Sequence, residues 1–134
     1  MRTMSLDKVL GRADRSALES LMRALEDMLA RGGGGLLLGG LLRQMESAGL
    51  RSTVGSWLGD GANEEISSRE VRRSFHHTTL AALARAAGLS TRQTADGLAR
   101  LLPEVVDRLS ENGHLLWGEE LEARLGSLDT LQID

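Results

Sequence analysis

The side chains best suited to bind a ligand are seven arginines between residues 67 and 110. Four acidic residues share this segment, so its net charge is +3. The middle of the chain is therefore mildly basic, whereas residues 111–134 are acidic. The candidate interaction surface consists of Arg69, Arg72, Arg73, Arg92, Gln93 and Arg100.

The small residues in the middle of this segment are spaced as in a helix-turn-helix. Ala84 lies on one predicted helix, Gly88 ends that helix and Ser90 caps the next. In a protein that reads DNA in this way, the residues facing the major groove would be Thr91, Arg92, Gln93 and Asp96. The residues on phosphates would be Arg69, Arg72, Arg73 or Arg100.

Three features oppose nucleic-acid binding. Asp96 would repel phosphate, the whole chain has a net charge of −3, and residues 111–134 have six acids against one arginine. A tail of net charge −5 can fold back on the basic segment. Since the same spacing also turns a corner between two helices that only pack together, three interpretations stay open: packing, DNA contact and protein contact. Packing is favoured.

The other residues with chemical potential fit no catalytic or metal site. His76 and His77 are adjacent, and adjacent side chains on a helix diverge by about 100°. Ser56 is the second residue of Gly-Ser-Trp-Leu-Gly, whereas a nucleophile elbow needs serine third, between a strand and a helix. The glycines of residues 32–40 are not followed by Lys-Ser/Thr, as a phosphate loop requires. We therefore expect no enzyme activity, no cofactor and no metal.

Composition indicates the structural class that must hold these residues. The chain has 134 residues, no cysteine or tyrosine and one proline, with 41% hydrophobic and 26% charged residues. Leucine, alanine and arginine, which favour helices, dominate, whereas strand-favouring residues are sparse. No apolar run reaches about 18 residues and no secretory signal is visible. The sequence thus predicts an all-α, cytoplasmic protein without a membrane span.

Helical periodicity and capping residues divide the chain into short helices. Ser16 and Glu19 have capping-box spacing, which predicts a helix start at Ser16 with one apolar stripe along it. Gly32–Gly35 is interpreted as a flexible joint. The predicted helices are 16–30, with a shorter one at 6–10, then 36–48, 53–58, 67–75, 78–87, a helix from 91 onward and 119–125. At Pro103 we expect a kink or two abutting helices. Trp57 is the predicted core anchor.

Two stretches of the chain carry motifs similar to a known family. The first is Val54-Gly55-Ser56-Trp57-Leu58-Gly59, and the second is Leu101-Leu102-Pro103-Glu104-Val105-Val106-Asp107. Together with their flanks they resemble the bacterial YidB family over about residues 32–115. The resemblance implies a compact all-helical domain of unestablished role and brings no catalytic motif. Residues 1–31 and 116–134 lie outside it.

These observations predict an all-α bundle of five to seven short helices in orthogonal packing, with a helix-turn-helix-like corner. The predicted parts are an N-terminal helical extension (1–31), a YidB-like domain (32–115) and an acidic tail (116–134). The favoured function is non-enzymatic interaction with a protein partner or a second copy, through the apolar stripe of helix 16–30. The alternatives are helix-turn-helix binding of nucleic acid and a small-molecule pocket between helices.

Overall fold

Helices dominate the structure, as composition predicts. The computed structural model describes residues 2–31, 35–59, 61–116, 118–126 and 128. The helices in these residues are α1 (Arg2–Arg31), α2 (Gly35–Ser47), α3 (Arg51–Leu58), α4 (Ser68–Ser74), α5 (His77–Ala87), α6 (Thr91–Arg108) and α7 (Gly118–Leu125). A short antiparallel hairpin joins α6 to α7 and consists of β1 (Ser110–Glu111) and β2 (His114–Leu115). The all-α class is confirmed.

The core is built around α6, which packs against α1, α3, α4 and α5. The side chains of Leu98, Leu102 and Val105 are completely buried, because apolar residues recur every three or four positions along this helix. Leucine fills most of the core. Trp57, the tryptophan among the described residues, has no exposed surface. The prediction that Trp57 anchors the core is confirmed.

The first helix differs from its prediction. α1 is one helix from Arg2 to Arg31, so Ser16 lies inside it and does not cap it. No proline interrupts residues 2–15, and a single interior glycine, Gly11, costs only about 1 kcal/mol relative to alanine, which a helix can absorb. Ser16 is exposed there. Of the predicted joint Gly32–Gly35, residues 32–34 lie outside the described residues, and Gly35 begins α2.

The apolar stripe of α1 faces the rest of the same chain. Leu18, Leu21, Leu25 and Leu29 are each at most 3% exposed and belong to the single hydrophobic core. α5 and α6 are the main helices packed against α1. The stripe that was predicted to engage a partner is therefore already covered within the molecule.

The chain remains helical through Pro103, so the alternative of two abutting helices is wrong. Proline has no N–H to donate to the Ala99 carbonyl. Pro103 is buried, and its own carbonyl accepts a hydrogen bond from Asn63 Nδ2 at 3.3 Å. Burial of the ring and this contact offset part of the cost of proline in a helix.

Candidate functional site

The helix-turn-helix-like corner (residues 88–90) joins α5 to α6 through a fixed backbone path. Gly88 has a left-handed conformation (φ 71°, ψ 32°), which glycine adopts without steric cost. The Leu89 N–H donates to the Ala84 carbonyl at 2.9 Å, the bond that closes a Schellman motif. The Gly88 that the sequence placed at the turn is thus required by the backbone.

The start of α6 is capped by a complete capping box. Ser90 Oγ accepts from the Gln93 N–H at 3.0 Å, and Gln93 Oε1 accepts from the Ser90 N–H at 2.9 Å. Thr94 Oγ1 donates to the Ser90 carbonyl at 2.9 Å. Three hydrogen bonds within residues 90–94 thus fix where α6 begins.

Small residues let α1 and α5 approach α6 closely. Ala84 of α5 is buried, as are Ala95 and Gly97 of α6. A Cβ added at Gly97 would lie 2.7 Å from Leu21 Cδ2 and 3.5 Å from Leu18 Cδ2, so α1 occupies the space that a side chain would need. Only the opposite face of α6 is left open to solvent.

The open face near the corner carries most of the candidate residues on α6. Its exposed members in the first three turns are Thr91, Arg92, Gln93, Asp96 and Arg100. Gln93 Oε1 is already used by the cap, and Arg100 is engaged in an interaction within the chain. Asp96, Glu104 and Asp107 follow along the exposed surface of this helix. Arg92 is therefore the exposed arginine in the first turn of α6, and three carboxylates follow it along the exposed surface of the helix.

The other candidate residues lie on α4, which precedes α5. Arg69, Arg72 and Arg73 are exposed, and Arg72 Nη1 donates to Ser68 Oγ at 3.2 Å. Glu70 is the one acidic residue of α4, and its Oε1 accepts from the Ser67 N–H at 2.9 Å in a second capping box. The acid of α4 is thus directed to its own helix start.

Arg85, near the C-terminal end of α5, is an exposed arginine that the sequence did not select for the candidate surface. Because Arg85 lies three residues before Gly88, the sequence could have placed it near the corner. The structure accordingly gives a basic set, which consists of Arg69, Arg72, Arg73, Arg85 and Arg92. Among the described residues, no carboxylate forms an ion pair with any member of this set.

The acidic C-terminal helix is anchored away from the corner. Arg124 of α7 donates through Nη1 to the Arg108 carbonyl at 3.0 Å and lies 3.5 Å from Glu111. Arg108 ends α6, and an 18-residue helix places it about 25 Å from Thr91. α7, with Glu119 and Glu120 exposed, also packs against α1. Residues 129–134 of the acidic tail lie outside the described residues.

A half-open apolar cleft lies between α1, α2 and α5. Its volume is about 240 Å³, and its lining residues are Met28, Leu41, Thr78, Thr79, Ala82 and Leu83. The threonines and Ala82 are at least partly exposed, whereas Leu41 and Leu83 are buried beneath them. The cleft is therefore an apolar depression with hydroxyl groups at its rim.

The residues considered for catalysis have structural partners. Ser56 Oγ donates to the Thr53 carbonyl at 2.6 Å and accepts from the Glu64 N–H at 2.9 Å, while Trp57 Nε1 donates to the Glu64 carbonyl at 2.8 Å. The Ser-Trp pair thereby fastens the loop after α3. In the described part of the chain, no group of three histidine, aspartate or glutamate residues could hold a metal ion. Nor does any helix searched there have the length and apolarity to cross a membrane.

Comparison with known proteins supports the fold and the motif resemblance. One solved structure, a homeodomain-like protein of unknown function, S4005 from Shigella flexneri, is similar with a TM-score of 0.64 and 22% identity. The similarity covers 94% of this chain and 99% of that chain, and at this identity it shows the fold alone. No curated protein matches. The model of the YidB-like protein family matches residues 5–117, which include most of α1. The chain therefore belongs to the YidB-like family, a family of unknown function.

Proposed function

We propose that the protein binds nucleic acid through the helix-turn-helix-like corner and the arginines of the basic set. The observation that carries this proposal is the exposure of all five arginines without an ion-pair partner among the described residues. An arginine that is not neutralised by its own chain keeps its full charge for a phosphate.

The local charge supports the same function. Residues 67–95 contain five arginines and one glutamate, a net charge of +4, although the whole chain has a net charge of −3. The glutamate is held in the cap of α4, and α7 is anchored at the other end of α6. The negative net charge of the chain thus belongs to regions other than the corner.

The fold gives further support to the proposal. The similar Shigella flexneri structure is called homeodomain-like, and homeodomains place the third helix of a helix-turn-helix unit in the DNA major groove. Here the helix after the corner is α6, which is largely buried, and its first two residues, Thr91 and Arg92, are exposed.

Fluorescence anisotropy with the full chain and a labelled DNA duplex tests the proposal. At about 50 mM salt we expect binding that weakens steeply as salt is added, because phosphate contacts release counterions. Arg92→Ala should weaken binding and lower the salt slope by about one. Arg23→Ala, which removes an exposed arginine of α1, is the matched control and should change neither quantity. Absence of binding to any nucleic acid at low salt contradicts the proposal.

Protein–protein interaction is the second candidate function, and the apolar cleft is the observation that favours it. The stripe of α1 is buried in the core, whereas Met28 and Ala82 of the cleft are at least partly exposed and accessible to a partner, beginning with a second copy. Analytical ultracentrifugation over a range of concentrations tests self-association. We expect Ala82→Arg to abolish it and Ala86→Arg, an exposed site of α5 outside the cleft lining, to leave it intact. A monomer at every concentration contradicts self-association.

Both functions are binding functions, and we propose that the protein acts without catalysis. The support is the structural use of Ser56 and Glu64 in fastening the loop after α3. A hydrolase screen on esters and phosphate esters is the direct check, and a turnover abolished by Ser56→Ala would contradict this proposal.

A further inference from the structure

We infer that the preferred ligand of the basic set is B-form duplex DNA, bound through phosphates with little dependence on base sequence. This inference rests on the proposed function. It follows from three properties of the surface: which side chains could read a base, which rings could stack on one, and how the arginines are spaced.

Few side chains at the corner can read a base edge. A glutamine recognises adenine through its carbonyl and amide groups together, but Gln93 Oε1 is already bonded to the Ser90 N–H. Asp96 is an exposed carboxylate, which phosphates on both sides of a groove repel. Arg92 is the remaining exposed side chain of these turns that could pair with a guanine. A single such pair reads one base pair, which almost any duplex can supply, so it gives little dependence on the overall sequence.

The described surface has no stacking platform for single strands. Proteins that bind single strands stack successive bases on exposed aromatic rings. Trp57 and Phe75, the described tryptophan and phenylalanine, are 0% and 4% exposed. The adjacent pair His76 and His77 is exposed, but neighbouring residues at a helix start point in different directions and do not form one row. Without such a row, stacking adds little to the affinity for a single strand relative to a duplex.

The arginines lie at both ends of α5. Arg72 and Arg73 come just before it, and Arg85 and Arg92 flank its C-terminal corner. Its 11 residues span about 16 Å, which is on the scale of the B-form major groove, about 12 Å wide. The major groove of an RNA duplex is narrow and deep, so the phosphates on its two sides lie at a different spacing. The spacing therefore favours DNA over RNA duplexes.

Four labelled probes test the inference with the full chain at about 50–200 mM salt. They are two 20-base-pair DNA duplexes of unrelated sequence, one of the corresponding single strands, and an RNA duplex of the same sequence. We expect the two DNA duplexes to bind within about tenfold of each other, and the single strand and the RNA duplex to bind more than about tenfold more weakly. Arg92→Lys, which keeps the charge but loses the two-pronged geometry, should retain affinity for both DNA duplexes within about threefold.

The outcomes separate this inference from the function on which it rests. If no probe binds, both the proposed function and the inference are wrong. If the DNA duplexes differ by more than about tenfold and Arg92→Lys removes the difference, base reading through Arg92 replaces the inference while nucleic-acid binding stands. Binding of the single strand or of the RNA duplex as tight as that of DNA also overturns the inference alone.

Discussion

Gly97 sets how closely α1 and α6 pack. The residue is buried, and Leu21 of α1 occupies the position next to it. Glycine in a helix normally costs about 0.5–1 kcal/mol relative to alanine. Here the missing side chain admits a leucine from another helix, so the local cost is offset by burial in the core.

We expect Gly97→Ala to lower the free energy of unfolding by about 1 kcal/mol, because overpacking costs about 1–3 kcal/mol and exceeds the gain in helix propensity. Gly55→Ala is the matched control, since a Cβ at that exposed glycine of α3 meets no atom within 4 Å. The control should raise the free energy of unfolding by about 0.5–1 kcal/mol. Urea denaturation of both variants measures the two values. A stabilising Gly97→Ala would show that the Leu21 methyl group moves aside at little cost and would contradict the expected overpacking.

The types of residue at the corner predicted its backbone conformation, but they did not predict which side chains pack against other helices and which are exposed. The roles of Gly88 and Ser90 follow from their residue types alone, since glycine permits positive φ and the serine hydroxyl accepts from the helix N–H groups. The role of Gly97 depends on Leu21, 76 positions away, which no local pattern shows. Arg85 was passed over because its exposure depends on how α5 is packed.

At the scale of elements, the start of α6 tests the capping box. Ser90→Ala removes the bond from the Gln93 N–H to Ser90 Oγ, so we expect the free energy of unfolding to fall by about 1 kcal/mol. Ser52→Ala is the control, because Ser52 is an exposed residue in the first turn of α3 whose side chain makes no hydrogen bond with the described residues. Thermal unfolding followed by circular dichroism reports both changes. Equal effects of the two substitutions would show that the box adds nothing.

The capping-box spacing predicted the start of a helix correctly at two of three serines. Ser67 and Ser90 form complete boxes, whereas Ser16 has the same spacing to Glu19 but lies within α1. Serine followed by glutamate at this spacing also occurs on the surface of a helix. Whether a helix begins at the serine therefore depends on whether the preceding residues are helical. The hairpin was missed although Asn112-Gly113 is a strong turn pair, with φ of 55° and 82°. Its strands have two residues each, too short for an alternating pattern.

At the scale of the whole molecule, α1 is part of the common core. An apolar stripe looks the same in sequence whether the covering helices belong to the same chain or to a partner, so the sequence could not assign the cover. The family match from residue 5 and the burial of the α1 leucines both join α1 to the rest. The division at residue 32 stays a prediction, but it is not a boundary of the core.

Leu25→Ala tests this cohesion. The side chain of Leu25 is 1% exposed, and removing a buried leucine costs about 2–5 kcal/mol. We expect a single unfolding transition at a lower urea midpoint, seen equally by far-ultraviolet circular dichroism and by tryptophan fluorescence. Glu19→Ala, on the exposed face of α1, should leave the midpoint unchanged within error. Two separate transitions, or a midpoint that does not move, would indicate that α1 is an independent extension.

The position of α7 leads to the last prediction, which concerns charge. Arg124 fixes α7 at the C-terminal end of α6, about 25 Å from the corner, or about three Debye lengths at 0.15 M salt. Neutralising α7 with Glu119→Gln and Glu120→Gln should therefore change DNA affinity by less than about twofold. Asp96→Asn removes one negative charge beside the corner itself and should raise the affinity about threefold at the same salt concentration. Anisotropy titrations compare the two. If instead the α7 variant raises the affinity more than Asp96→Asn does, the acidic helix shields the basic set, and the net charge of the whole molecule controls binding.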